Sequence, residues 1–188
     1  MKIKNLKLNG AFLIKPEIFK DKRGFFFENF NNKKFQKITK GQKFIQGNHS
    51  FSKKNVLRGI HFQFKNPQYQ LFYPIIGELD IFLVDFRPKS KTFLKSIFIN
   101  LKSKNNNQIL TSPGIGTAFH TKSIENIVIY FVSEFYNSKN EIGVMWNDKR
   151  LNLNWKCKKP IVSKKDYLNL NIDNIEFDKF RDLNKIVI

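Results

Sequence analysis

Apolar and polar residues alternate with a period of two over many short segments of this chain. Between Ile127 and Tyr136 this period places Val128, Tyr130 and Val132 on the same face as Tyr136, and the intervening apolar residues on the other face. Such alternation is typical of β-strands, and almost no segment shows the period of a helix. The pattern therefore predicts an all-β protein.

Further strands are predicted along the chain, separated by turns rich in glycine, proline, asparagine and aspartate. They cover residues 3–14 (one or two strands), 25–30, 44–50, 56–63, 71–76, 79–86 and 93–101. A glycine-rich turn is predicted over residues 112–117, a short helical turn over 32–40 and one helix over 176–183. Many short strands with closely spaced turns predict a sandwich or a barrel.

The length of 188 residues, of which 41% are hydrophobic, allows one domain with a single core and excludes disorder of the whole chain. We therefore expect a single domain over residues 1–188. No apolar run is long enough to span a membrane, and the first residues lack a signal-peptide core, so we expect a cytoplasmic protein with no membrane partner. The single cysteine, Cys157, excludes an internal disulfide.

The formal net charge of +19 favours an anionic partner. Lysine and asparagine are abundant along the whole chain, however, and no basic stripe is confined to one element. We therefore expect no nucleic-acid partner. A generally positive surface would still attract anionic ligands such as nucleotide phosphates.

Residues 56–63 carry an arginine, a histidine and a glutamine within an otherwise apolar strand. A lone interior histidine is more often a packed core residue than a catalyst. His49, His61 and His120 are isolated in the sequence, so we expect no metal site. Acid–base chemistry needs fewer groups: His61 can act as a base if a carboxylate holds its other ring nitrogen, and Tyr130 as an acid. The spacing of the residues alone predicts a small β-barrel with a candidate anion-binding site.

Six segments stand in order along the chain: residues 19–28 (FKDKRGFFFE), 44–50 (FIQGNHS), 56–63 (VLRGIHFQ), 84–93 (VDFRPKSKTF), 145–148 (MWND, followed by Trp155) and 163–166 (SKKD). Together they resemble the dTDP-4-dehydrorhamnose 3,5-epimerases, cupin-like enzymes of nucleotide-sugar biosynthesis. The match runs in register from about residue 10 to 167, which implies a core over that range and a short C-terminal helical tail over 168–188.

The resemblance implies a double-stranded β-helix, the jelly-roll barrel of the cupins, whose lumen is an active site that needs no metal or cofactor. It also implies a homodimer. The implied substrate is a nucleotide diphosphate carrying a 4-keto-6-deoxyhexose, in which loss of the proton at C3 or C5 gives an enolate. By similarity His61 is the base, Asp166 holds its imidazole, and Tyr130 is the acid on the opposite face.

The resemblance also implies a set of substrate-binding residues, three of which reach into the neighbouring subunit's site. Those three are Arg23, Phe26 and Glu28, and the others are Gln46, Asn48, Arg58, Gln70 and Tyr136. Arg58 and His61 are three positions apart, so on a regular strand they would face opposite ways. Both can face the site only if Gly59 forms a bulge or kink.

Three positions depart from the family pattern. Gln70 replaces a lysine that lies near the keto oxygen, and a lost donor of this kind typically costs about 2.7–4 kcal/mol. Thr117 replaces a histidine. An aspartate usual in the strand after Gly77 occurs one residue early, as Asp80, which leaves Ile81 in its place and turns the carboxylate to the other face.

The base, its aspartate and the acid all remain. We therefore expect an epimerase whose substrate or number of inverted centres has changed, acting on a dTDP- or GDP-linked sugar. Two alternatives remain: an isomerase that moves the keto group between C4 and C3, and a non-catalytic cupin that only binds a nucleotide sugar.

Overall fold

The structure is a computed structural model of the chain and describes residues 1–186, within which the chain forms fourteen strands. In chain order they are β1 Lys2–Asn5, β2 Ala11–Lys15, β3 Ile18–Asp21, β4 Gly24–Phe27, β5 Gln46–Lys53, β6 Val56–Gln63, β7 Gln70–Ile76, β8 Glu78–Asp85, β9 Ser96–Lys102, β10 Gln108–Thr111, β11 Ile115–Thr121, β12 Glu125–Val132, β13 Glu141–Gly143 and β14 Ile161–Val162. The α-helices are single turns: α1 Asn32–Phe35, α2 Lys164–Tyr167 and α3 Arg181–Asn184. Three 3₁₀ turns cover Ser103–Asn105, Ile172–Asn174 and Phe177–Lys179.

Twelve of the strands form two sheets. One sheet has the order β1-β2-β10-β7-β12-β5, and the other has the order β13-β6-β11-β8-β9 with β14 added in parallel beside β6. Neighbours such as β2 and β10 are distant in sequence, because the chain crosses repeatedly between the sheets. This is the predicted all-β, cupin-like jelly roll. β3 and β4 form a separate hairpin.

The alternation along β8 separates the lumen from the outer face of its sheet. Ile81 and Leu83 are fully buried in a cluster that draws residues from both sheets. Phe82 packs on the opposite side, with its ring centroid 5.3 Å from that of Phe98 and 4.7 Å from that of Trp155. The lumen is therefore lined by alternate residues of each strand.

Asp80 faces away from the lumen, as its position beside Ile81 requires. Asn100 Nδ2 donates to its carboxylate at 2.7 Å, and Lys122 Nζ lies 3.4 Å from the other oxygen. The predicted change of face is confirmed, and an isoleucine occupies the lumen at this level.

The predicted bulge in β6 is also confirmed. Between the pairs Thr117–His61 and Phe119–Arg58, β6 advances three residues while β11 advances two. Gly59 supplies the extra residue with φ +104°, and a Cβ there would lie 2.4 Å from the Thr117 carbonyl oxygen. Only glycine fits this conformation and this contact. The bulge directs both Arg58 and His61 into one cavity.

Several strand boundaries differ from the predictions. β12 ends at Val132, so Tyr136 lies in an irregular segment beyond it. The predicted turn over 112–117 is shorter, because β11 already begins at Ile115, and neither β11 nor β10 was predicted. β9 begins at Ser96 because a turn precedes it, in which Leu94 has φ +56° and its N–H donates to Asp85.

The tail does not form the one helix predicted over 176–183. It contains the 3₁₀ turn Phe177–Lys179 and then α3, separated by Phe180 with φ −85° and ψ 77°. Phe180 leaves the helical conformation because its ring packs against Phe64, at a centroid distance of 4.8 Å. Residues 187 and 188 of the predicted tail lie outside the described range. Among residues 1–186 no helix has the length and hydropathy to span a membrane.

Candidate active site

A cavity of about 400 Å³ opens between the two sheets. Strands β5, β7 and β12 line one wall, β6 and β11 line the other, and residues 163–166 border it. Eight of the eleven predicted site residues line this cavity: Gln46, Asn48, Arg58, His61, Gln70, Tyr130, Tyr136 and Asp166.

His61 is held by a buried carboxylate. Its Nε2–H donates to Asp166 Oδ1 at 2.5 Å, and Asp166 is 3% exposed. The Gly59 N–H donates to the other carboxylate oxygen at 3.5 Å. Burial alone would raise the pKa of the Asp166 carboxyl, but the hydrogen bond and charge of His61 bring it below its usual value. In the neutral imidazole, the bond to the Asp166 carboxylate requires the proton on Nε2, so Nδ1 carries the lone pair and can accept a second proton.

The motif Ser163–Asp166 explains how the carboxylate reaches the ring. Ser163 is the N-cap of α2, and its Oγ accepts from the Asp166 N–H at 3.0 Å. A serine three residues before an acidic residue is typical of such caps. The cap turns the chain so that Asp166 points inward while Tyr167 stays exposed.

Tyr130 lies on the opposite wall. It belongs to β12, where its cross-strand neighbours are Asn48 in β5 and Phe72 in β7. Burial raises the pKa of the Tyr130 phenol, so the hydroxyl keeps its proton at neutral pH and can donate it. His61 and Tyr130 therefore face one cavity from two different sheets.

The side chains of Gln46 and Asn48 are hydrogen-bonded on the wall beside Tyr130. Gln46 Nε2 donates to Asn48 Oδ1 at 2.9 Å, and Gln46 Oε1 accepts from the Tyr136 N–H at 3.0 Å. This second bond holds the irregular segment after β12 against β5. Tyr136 thus reaches the cavity, as predicted, although the strand alternation on which that prediction relied ends at Val132.

Arg58 links the two sheets at another part of the cavity. Its Nε donates to Ser52 Oγ at 3.1 Å and its Nη2 to the Phe51 carbonyl at 3.2 Å. The guanidinium has five N–H donors, so further donors remain for a ligand. A planar, permanently charged fork is well suited to phosphate oxygens.

Two charged residues of the cavity were not predicted. Lys165 Nζ forms an ion pair with Glu141 Oε2, and the Tyr136 hydroxyl lies 3.4 Å from both groups. Glu141 Oε1 lies 4.0 Å from His61 Nδ1, the nitrogen free to act as a base. Burial opposes the charge on Lys165, but Glu141 raises the pKa of its ammonium above the usual value. Lys165 lies within the family motif Ser163–Asp166, whereas Glu141 lies in a polar segment that resembles an ordinary surface loop.

Gln70 and Thr117, two of the departures from the family pattern, contact each other. Thr117 Oγ1 donates to Gln70 Oε1 at 3.4 Å, and Thr117 is the cross-strand partner of His61. Gln68 Oε1 and Ser50 Oγ are buried in the same cavity and have no hydrogen-bond partner among the described residues. This cavity therefore offers uncharged polar groups to a ligand, in addition to the His61–Asp166 pair.

The remaining predicted residues lie at the β3–β4 hairpin, apart from the cavity. Arg23 pairs with Asp21 at 2.5 Å, Phe26 is 71% exposed, and Glu28 pairs with Lys34 at 2.6 Å. The expectation that they act in a neighbouring subunit stays a prediction. Residues 1–186 contain no group of three or more histidine, cysteine or acidic side chains that could hold a metal.

The chain was also compared with known proteins. The family model described as dTDP-4-dehydrorhamnose 3,5-epimerase matches residues 5–174. The dTDP-4-dehydrorhamnose 3,5-epimerase of Shigella flexneri is 35% identical over 168 residues, covering 88% of this chain and 93% of that protein.

Solved structures agree with this assignment. The epimerase RmlC of Legionella pneumophila, in complex with dTDP-4-keto-L-rhamnose, superimposes with a TM-score of 0.89 at 28% identity, covering 94% of this chain and 95% of that one. ChmJ, a 3′-monoepimerase of Streptomyces bikiniensis in complex with dTDP-quinovose, gives a TM-score of 0.82 at 26% identity, covering 88% and 85%. The chain belongs to the dTDP-4-dehydrorhamnose 3,5-epimerase family, a family of isomerases.

Proposed function

We propose that this chain epimerises a nucleotide-diphosphate 4-keto-6-deoxysugar at C3, C5 or both. The observation that carries the proposal is the position of His61 and Tyr130 on opposite walls of one cavity. Inversion requires removal of a proton from one face of the sugar and its return to the other. The complexes of related epimerases with dTDP-linked sugars favour dTDP as the nucleotide.

In this mechanism His61 Nδ1 removes the proton next to the ketone, and the electron pair of the C–H bond moves into the enolate. The imidazolium that forms is stabilised by the Asp166 carboxylate at 2.5 Å. Tyr130 then gives its phenolic proton to the opposite face of the same carbon. The tyrosine recovers a proton from solvent, and His61 releases the one it took.

Arg58 is proposed to bind the diphosphate, and Gln46, Asn48 and Tyr136 to bind the sugar and its linkage. The uncharged Gln70 and Thr117 stabilise a developing enolate less than charged donors would. This difference favours a substrate or a number of inverted centres that differs from the family's main activity. ChmJ, a 3′-monoepimerase, is a relative for which a single centre is stated.

Replacing Tyr130 by phenylalanine should separate two rates: exchange of the sugar proton with solvent, and inversion of the sugar carbon. We expect Tyr130→Phe to lower the inversion rate by about 10²–10⁴-fold, because no acid then faces the enolate from the wall opposite His61. Exchange of the substrate proton with solvent should persist, since His61 can return a solvent-derived proton to the original face. NMR of the sugar in deuterium oxide measures both rates. Tyr167→Phe, at an exposed tyrosine in α2, is the control, and undiminished inversion by Tyr130→Phe would exclude the assigned role.

Product analysis tests the activity itself. The protein is incubated with dTDP-4-keto-6-deoxyglucose, the mixture is reduced with borohydride, and the configuration of the released sugar is determined. We expect sugars inverted at C3, C5 or both. Recovery of a 3-keto product would favour the ketoisomerase. Unchanged sugar from both dTDP- and GDP-linked substrates would favour the binding-only cupin.

We further propose that the chain forms a homodimer in which Arg23, Phe26 and Glu28 contact the partner's cavity. The β3–β4 hairpin that carries them exposes 60% of Phe25 and 71% of Phe26. Exposed aromatic residues on a projecting hairpin are typical of an interface. Light scattering should give twice the chain mass of 22.3 kDa, and Phe26→Ser should shift the protein toward the monomer. A wild-type monomer at micromolar concentration would contradict this proposal.

A further inference from the structure

The segment that delivers Asp166 to His61 is held by very little regular structure. β14 consists of only two residues, Ile161 and Val162, which pair in parallel with Val56 and Leu57 of β6. A two-residue strand specifies its own register weakly, and Ile161 is 58% exposed, so burial adds little. Some other contact must therefore fix where this segment begins.

Asn55 makes that contact with two of its hydrogen-bonding groups, the side-chain amide nitrogen and the backbone carbonyl. It lies in the turn between β5 and β6 with φ +67°. Its side-chain Nδ2 donates to the Lys159 carbonyl at 2.7 Å, and its carbonyl accepts from the Ile161 N–H at 2.7 Å. Its own N–H donates to the Thr121 carbonyl at 2.9 Å.

The orientation of the Asn55 amide is fixed from the other side. His120 is 8% exposed, and its Nε2–H donates to Asn55 Oδ1 at 2.9 Å. The Lys159 carbonyl can only accept, so the amide nitrogen must face it and the amide oxygen faces His120, which then donates from Nε2. His120 lies on the outer side of its sheet, next to Phe119, which lines the cavity.

From the level of Asn55, two segments of the chain run side by side, and they meet again where Asp166 bonds His61. His61 follows Asn55 by six positions along β6, and Asp166 follows Ile161 by five positions. A slip of one residue would move the second segment by about 3.3 Å along β6. The 2.5 Å bond between His61 Nε2 and Asp166 Oδ1 would not survive such a shift.

We propose that Asn55 is a positioning residue for the reaction: by clamping the backbone of residues 159–161, it sets the register that places Asp166 on His61. The part of this inference that concerns catalysis rests on the proposed epimerase function. Asn55 touches no substrate and does not line the cavity. Its effect is transmitted through the register of β14 and the Ser163 cap.

Two substitutions test the clamp, because glycine and aspartate both tolerate the positive φ of position 55. Asn55→Gly keeps the backbone bonds and removes both side-chain bonds. Asn55→Asp keeps the acceptor for His120 but removes the donor to Lys159. The matched control is Asn106→Gly. Asn106 is a left-handed asparagine with φ +52° at the end of the 3₁₀ turn Ser103–Asn105, and it does not line the cavity.

We expect both Asn55 variants to lower kcat about tenfold or more, with KM changed less than twofold, because the misplaced group is the partner of the base and not a binding residue. Asn106→Gly should leave both constants unchanged. The second readout is the downfield proton resonance of the His61 Nε2–H, assigned by its loss in His61→Asn. It should weaken or move in the Asn55 variants and remain in the control.

Folded Asn55 variants with wild-type kcat and an unchanged resonance would overturn the proposal. So would an equal fall in kcat and stability with the resonance intact, since that pattern describes a purely structural residue. The resonance is observed without substrate. A wild-type protein that lacks epimerase activity but loses the resonance in Asn55→Gly would therefore refute the proposed function and leave the clamp supported.

Discussion

His61→Asn is expected to lower the rate of proton exchange at the sugar by about 10²–10⁴-fold, with the fold intact. Asparagine has nearly the shape of the proximal half of the ring, but its amide cannot take a proton at neutral pH. The Asp166 carboxylate keeps the Gly59 N–H and the Ser163 hydroxyl as partners, so it is not left without donors. Binding of dTDP should change little, because the nucleotide-binding groups remain.

The matched control for this prediction is His49→Asn. His49 is exposed on β5, next to Asn48, which lines the cavity. The variant should exchange at the wild-type rate. Exchange is followed by proton NMR in deuterium oxide, and circular dichroism verifies the fold. A His61→Asn protein that exchanges within tenfold of wild type would remove His61 from the mechanism.

Arg87→Met is expected to lower the free energy of unfolding by about 3–5 kcal/mol. Arg87 and Asp85 are both fully buried, with Nε–Oδ1 and Nη2–Oδ2 distances of 2.7 Å. Methionine removes the positive charge and leaves the carboxylate with Ser90 Oγ at 2.5 Å, Thr92 Oγ1 at 2.6 Å and the backbone N–H of residue 87 at 3.0 Å. Three uncharged donors do not fully compensate a buried anion.

Urea denaturation measures this effect, and Arg150→Met is the control. Arg150 pairs with Asp173 at 2.5 Å, but both side chains are more than half exposed, so its loss should cost under about 1 kcal/mol. The double variant Asp85→Asn/Arg87→Met should recover part of the loss, since it removes the unpaired charge. Equal stabilities of Arg87→Met and Arg150→Met would contradict the account.

The same pair predicts how stability depends on pH. Burial opposes ionisation of Asp85, but the donors of Arg87, Ser90 and Thr92 bring the pKa of its carboxyl below the usual value. The folded state therefore favours the ionised form. Its contribution is present above the unfolded-state pKa of about 3.9 and is lost as the pH falls through the folded-state pKa.

Local patterns predicted most of the sheet. β7, β8 and β12 were found because their apolar residues are continuous or alternate with a period of two. β10 and β11 were missed, since Pro113 and Gly114 indicate a turn and β11 carries Thr117 and His120 among its apolar residues. The bulge at Gly59 followed from a functional requirement, that two side chains three positions apart share one cavity.

The site was only partly accessible from the sequence. The motifs identify His61 and Asp166, and the strand alternation together with the family resemblance identifies Tyr130. The approach of Asp166 to His61, however, depends on contacts between residues more than a hundred positions apart. Glu141 was missed because an acidic residue in a short polar segment is normally solvated. Only the tertiary fold brings it within 4.0 Å of the base.

The proposed role of His61 is to exchange a proton next to the ketone of a nucleotide-linked 4-keto sugar. Its most direct test is proton NMR of the wild-type protein with dTDP-4-keto-6-deoxyglucose in deuterium oxide, beside His61→Asn. We expect loss of the C3 or C5 proton signal, or both, with wild type and not with the variant. A folded wild-type protein that binds dTDP but exchanges neither proton, in the dTDP- or the GDP-linked sugar, would contradict it.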